Sequence, residues 1–182
     1  MEDDMRGFDW LDRVRKRVSD PVVLVGIRGF HKAVNKRGVY DDALIWLNTA
    51  TGFIATYNAN CDPSSYRKGM GFGSKKGMAS LKDGVWCYRI GKHGYNTGKP
   101  YPAFVQAEKV QVLRDGIEGP YDDYGYFGIN IHRGGYNTTS SLGCQTVPPN
   151  TWDDFFKTGQ KLLKDAGQDK FYYVLNPYSL QK

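Results

Sequence analysis

Disulfide chemistry has little to work with in this chain: its 182 residues hold three cysteines, Cys61, Cys87 and Cys144. An odd number with no CxxC pair excludes a cystine-stapled scaffold and leaves at least one thiol free. Histidines are equally few, at His31, His93 and His132, and no HxxH or HExxH spacing occurs. The sequence therefore offers no zinc motif, and neither a metal nor a cofactor is expected. Long apolar runs are missing as well. The best candidate, Val22 to Val25, is broken by Gly26 and Arg28, far short of the roughly 20 residues that a membrane-crossing helix needs. The N-terminal Met1-Glu2-Asp3-Asp4 is acidic and lacks an apolar h-region, so no signal peptide is read and synthesis in a cytoplasm is expected. RRM, KH and zinc-knuckle patterns are absent, which makes nucleic acid an unlikely partner.

What is present is an ordinary globular composition, 40% hydrophobic and 24% charged, in a chain long enough for one domain with an appended arm. The net charge of +6 is unevenly placed. Residues 1–50 carry nine basic and eight acidic groups, 51–100 eight and two, and 101–182 eight and nine. The whole surplus sits in the middle, where a Lys-rich stretch over 67–99 favours a polyanion through long-range attraction. A solvated loop face is the plainer alternative.

Phe8, Leu11, Val14 and Val18 recur at helical spacing and predict a short amphipathic helix that stops before Pro21. Val22 to Ile27 reads as a buried strand. A polar, glycine-punctuated stretch over 30–42 suggests a soft boundary, with an N-terminal helical arm over 1–38 and the main domain over 39–182. Strands are expected at 43–47 and 52–57, joined by the turn-forming Asn48-Thr49-Ala50-Thr51, and then at 85–90, 104–107, 110–113, 127–132 and 145–147. Residues 58–84 read as one long loop. Thr151 is placed to cap a helix that presents Trp152, Phe155, Phe156, Leu162 and Leu163 and ends near Gly167, before a last strand at 171–175. The sum is an α+β, β-rich domain with a helix towards each end.

The chemistry concentrates in Ile129-Asn130-Ile131-His132-Arg133-Gly134-Gly135 and the following Tyr136-Asn137-Thr138-Thr139-Ser140-Ser141-Leu142-Gly143-Cys144-Gln145. A strand delivers His132 to its end, a polar loop turns the chain round, and Cys144 stands before a second short strand. Loop closure over twelve residues costs little, so the two can meet. An adjacent imidazole can take the proton of a thiol whose ordinary pKa is about 8.5. Gly143 lets a substrate approach the backbone, and the amides of Gly143 and Cys144 are candidate donors to a developing oxyanion. Ser141 is a candidate for orienting the imidazole or the scissile group. Gly134-Gly135 leaves room for an extended ligand, with Arg133, Tyr136 and Asn137 beside it as candidate substrate contacts. Cys61 before His93 and His132 is a weaker Cys-first alternative. Cys87 reads as core, His93 as a loop histidine that either lines the substrate groove or, more plainly, is just exposed, and His31 as an exposed loop histidine.

This His-then-Cys order, with Ser-x-Gly-Cys at 141–144, resembles the signature of the L,D-transpeptidase-like cysteine enzymes of peptidoglycan metabolism. Carried over, His132 matches the general base, Cys144 the nucleophile, Gly143 the oxyanion-hole glycine and Ser141 the small hydroxyl residue. Leu142, where many members have a second histidine, and Thr146 depart from the pattern and place the chain nearer divergent members, such as phage lysis enzymes and interbacterial effectors. The resemblance implies a β-rich mixed sheet or sandwich and a thioacyl mechanism on peptidoglycan peptide stems. It also implies an anionic cell-wall polymer as partner of the 67–99 stretch, and action on the wall after release or delivery. A stem-cleaving hydrolase, a cross-linking transpeptidase and a non-catalytic wall or polyanion binder are the three functional expectations.

Overall fold

The computed structural model describes residues 9–31, 34–69 and 77–177. Phe8, assigned to the first helix, and residues 70–76 of the Lys-rich stretch lie outside them. At the centre runs β1 (Val22–Ile27), every residue of which is buried. A run of β-branched and aliphatic residues has two apolar faces, so it suits an interior position covered on both sides. Helix α1 (Asp9–Arg17) covers one side: Val14 and the following Val18 join Val23, Val25, Ile45 and Leu47 in one core. On the other side Val22 and Leu24 enter a larger core with Trp46, Phe104 and Phe171. Helix α2 (Trp152–Asp165) adds Trp152, Phe155 and Leu163 to it. The strand inside the expected N-terminal arm is thus an interior strand of the sheet.

The remaining strands are β2 (Asp42–Asn48), β3 (Phe53–Ala59), β4 (Ala79–Leu81), β5 (Gly84–His93), β6 (Tyr101–Gln106), β7 (Val110–Arg114), β8 (Tyr121–Gly125), β9 (Ile131–Arg133), β10 (Gln145–Val147) and β11 (Lys170–Leu175). Eight of them form a mixed sheet in the order β10-β9-β6-β5-β11-β1-β2-β3, and β4-β7-β8 form a small antiparallel sheet. Among the described residues, only β1–β11 and β9–β10 pair in parallel. Just past β3, Asn60 and Thr146 exchange both backbone hydrogen bonds at 2.8 Å, so the two outer strands meet and the large sheet nearly closes. The fold is α+β and strand-rich, with two α-helices among the described residues. No helix among the described residues is long and apolar enough to cross a membrane.

The β2–β3 hairpin turns where the sequence places it: the Asn48 side-chain oxygen accepts from the amides of Ala50 and Thr51, and Gly52 takes φ +75°. Four expectations need correction. The 58–84 loop contains β4. Strand β8 was not anticipated, because Tyr121-Asp122-Asp123-Tyr124-Gly125 has no apolar face and pairs at a sheet edge with its side chains largely exposed. The strand expected over 127–132 begins only at Ile131, since Gly128 turns at φ +68° and the amides of Phe127 and Ile129 both donate to the Gln106 side chain instead of a ladder. Thr151 does precede α2, but its hydroxyl donates to the Pro148 carbonyl at 3.3 Å and caps nothing.

Candidate active site

The parallel β9–β10 pair sets Thr146 opposite His132 and brings Cys144, the residue before β10, alongside Asn130. One ring nitrogen of His132, one of His93 and the Cys144 sulfur all lie within 4.8 Å of one another. His132 and Cys144 are therefore brought to neighbouring positions, with no hydrogen bond between them among the described residues, and a second histidine joins them. His93 sits at the last position of β5, with its ring stacked on that of His132 at a centroid separation of 3.9 Å and an interplanar angle of 9°. The groove-lining alternative for His93 matches its place in the cavity wall, whereas its loop placement needs correction because the strand runs three residues past Ile90, through Gly91.

The two histidines are held differently. His132 is 4% exposed, and its Nδ1 lies 2.8 Å from the Arg133 carbonyl, a contact that puts the proton on Nδ1 and the lone pair on Nε2. The Tyr101 hydroxyl stands behind it, 3.1 Å from the same nitrogen. His93 Nδ1 faces the Asn130 side-chain amide at 3.1 Å. The Asn130 oxygen accepts from the Gln106 amide, which turns its NH2 group towards His93. Asn130 also donates its backbone N–H to the Cys144 sulfur at 3.4 Å, and the thiol donates to the Gly128 carbonyl at 3.3 Å.

Burial is the largest influence on both partners and pushes them apart. It raises the Cys144 thiol to about 11, against a smaller opposing pull from the Asn130 amide. It lowers His132 to about 3, helped by the neighbouring His93 and opposed by the Arg133 carbonyl. Burial lowers His93 too. All three shifts favour a neutral thiol beside neutral imidazoles over a thiolate–imidazolium pair.

Cys144 is nevertheless partly exposed and opens into a cavity of about 500 Å³. The segment 92–97 after the β5 core, residues 127–130, Ser140 and Leu142 form much of its wall. The loop carrying the thiol is tightly fixed. Ser64 N–H donates to the Ser141 carbonyl, Ser141 N–H to the Ser64 hydroxyl, and Ala79 N–H to the Leu142 carbonyl. A Cβ on Gly143 would stand 2.5 Å from the Ala79 carbonyl oxygen, so close backbone packing requires glycine there.

Ser141 and Gly143 act on each other. The Gly143 amide donates to the Ser141 hydroxyl at 3.0 Å, and that hydroxyl donates to the Cys144 carbonyl at 2.6 Å. Contrary to expectation, the Gly143 amide is thus committed, and Ser141 orients the nucleophile's backbone rather than the imidazole. The Cys144 amide has no hydrogen bond among the described residues and is the remaining candidate oxyanion donor.

The expected substrate contacts fall outside the cavity wall. Arg133 is exposed, with its guanidinium 5.3 Å from the Tyr101 ring centroid. Gly134 packs under the Tyr40 hydroxyl and donates its amide to the Val147 carbonyl. Tyr136 is 84% exposed, and Asn137 is exposed beside it. Cys61 is sealed in the core, with the Tyr173 hydroxyl on its sulfur, and Cys87 is also buried. No protein-family model, curated protein or solved structure matches this chain.

Proposed function

We propose that the protein is a peptidoglycan-degrading cysteine peptidase that cleaves peptide stems through a thioacyl enzyme, within a domain akin to the L,D-transpeptidase catalytic domain. One observation carries the reading: a ring nitrogen of His132 and the partly exposed Cys144 sulfur lie within 4.8 Å of each other at the wall of a cavity of about 500 Å³. His132 takes the thiol proton as Cys144 attacks a stem carbonyl, and the Cys144 amide receives the developing oxyanion. His132 then returns the proton to the leaving amine, and water releases the acyl group from sulfur.

Because the resting pair is neutral, proton transfer accompanies attack instead of preceding it. The partner is the peptide stem of the wall, reached after release or delivery. Exposed Arg67, Lys68, Lys92 and Lys99 support contact with an anionic wall polymer.

Digestion of defined muropeptides by wild type and Cys144→Ala, read by mass spectrometry, tests this. Shortened stems from wild type alone are expected. Cross-linked dimers without shortened stems would make the chain a transpeptidase, and wall pelleting with no change in any muropeptide would make it a binder.

A further inference from the structure

Three donor atoms from three separate stretches of chain converge at one wall of the cavity: a ring nitrogen of His93, a ring nitrogen of His132 and the Cys144 sulfur. We propose that this trio binds Zn2+, with the fourth position open to water from the cavity, and that the bound ion silences the thiol. Two imidazoles and a thiolate are a donor set that suits this borderline-soft ion, and three protein ligands with one open position is a common four-coordinate arrangement. Binding replaces the S–H bond by an S–Zn bond. The proton leaves to solvent, the sulfur lone pair goes to the ion, and nothing is oxidised or reduced. No spacing in the sequence announces the site, since the fold alone assembles it.

The surroundings are half prepared. A ligating histidine commonly donates its second nitrogen to a carbonyl or carboxylate, which fixes the ring and its tautomer. His132 already does so through Nδ1 and the Arg133 carbonyl at 2.8 Å, leaving Nε2 for the ion. His93 needs two adjustments. Asn130 must turn its oxygen towards Nδ1, breaking a 3.3 Å hydrogen bond from the Gln106 amide. The His93 ring must also tilt, because two rings 9° from parallel point their lone pairs side by side instead of at a common point. Of the two rings, His93 is the one able to move: it is partly exposed, whereas His132 is buried between the Arg133 carbonyl and Tyr101.

The silencing rests on the peptidase reading; the binding does not. The test titrates chelator-stripped full-length protein with Zn2+ by calorimetry, and with Co2+ as a spectroscopic probe. One equivalent is expected, with a thiolate-to-cobalt charge-transfer band and the visible bands of a four-coordinate ion. Cys144→Ala removes the charge-transfer band, and His93→Ala weakens zinc at least about tenfold. Asn130→Asp places a carboxylate against His93 Nδ1 and tightens zinc about tenfold, the opposite sign from a disruptive substitution. In wild type, independent of any variant, Zn2+ protects Cys144 from iodoacetamide.

Absence of saturable binding and of protection in wild type would overturn the site. So would unchanged affinity in both His93→Ala and Asn130→Asp, which would leave a bare thiol contact. Muropeptide cleavage that continues at saturating zinc would overturn the silencing. A chain that binds zinc but cleaves nothing, even when stripped, refutes the peptidase reading and leaves the site standing. A chain that cleaves without binding zinc refutes the site alone.

Discussion

The Ser141 hydroxyl bridges the Gly143 amide, at 3.0 Å, and the Cys144 carbonyl, at 2.6 Å, and so closes a small ring of hydrogen bonds around the backbone that carries the thiol. Ser141 is 3% exposed, so water cannot replace that hydroxyl freely. Ser141→Ala leaves a buried donor and acceptor unmet, at a cost of about 1–3 kcal/mol. It also loosens the nucleophile's position, for which turnover falls about 100-fold. Urea unfolding and muropeptide turnover measure the two effects separately. Unchanged turnover in a folded variant would remove Ser141 from the site.

Reactivity of the thiol follows from the direction in which burial acts. Desolvation disfavours the charged form of each group, so it raises the acid Cys144 to about 11 and lowers the base His132 to about 3. In chelator-treated protein, alkylation of Cys144 by iodoacetamide is expected to rise about tenfold per pH unit from pH 6 to 9. No acidic plateau should appear. A rate already maximal at pH 6, followed by peptide mass spectrometry at Cys144, would reveal a preformed thiolate–imidazolium pair and refute the neutral resting state.

Much of this arrangement is legible in the chain because the relevant signals are local. Val22 to Ile27 is apolar on both faces, Asn48 to Thr51 carries turn chemistry, and His132 and Cys144 are joined by a loop short enough to close. The parts that stayed hidden depend on pairing between distant segments. Strand β8 has no apolar face of its own and exists through its register with β7. His93 is brought to His132 because β6, the antiparallel neighbour of β5, pairs on its other side with β9, which lies much further along the chain. Asn130 touches both His93 and Cys144, yet as one polar residue just before a strand it gives no local sign of that role. Arg133, Tyr136 and Asn137 looked promising because they are polar neighbours of His132, but the chain after His132 turns away from the cavity.

Gly159 sets helix propensity against packing. Alanine in the middle of α2 would favour the helix by about 1 kcal/mol. A Cβ at this position, however, stands 2.2 Å from the Trp46 ring and 2.8 Å from Phe104, both fully buried. Trp46 is further held by its indole N–H, which donates to the Phe155 carbonyl at 3.2 Å, and Phe104 by ring contacts with Phe155, Phe156 and Phe171. Overpacking wins, and Gly159→Ala is expected to destabilise by about 1–3 kcal/mol. Calorimetry should show a lowered melting temperature. A rise would mean that the α2 contact is looser than these distances require.

Arg28, just past β1, ties three segments together. Its guanidinium donates to the carbonyls of Leu81 at 2.7 Å and Cys61 at 3.2 Å, and pairs with Asp83 and Asp62. The Asp62 side chain is 7% exposed, so removing its cation strands a buried carboxylate. Arg28→Met is expected to cost about 3–5 kcal/mol, mostly through that stranded charge and only partly through lost attraction. Asp62→Asn in the same chain keeps the oxygen that can accept from Asn35 and should recover at least half of the loss. Denaturant midpoints of the two single variants and the double variant decide the point: strictly additive losses would show that Arg28 acts through its backbone carbonyl contacts and not through charge.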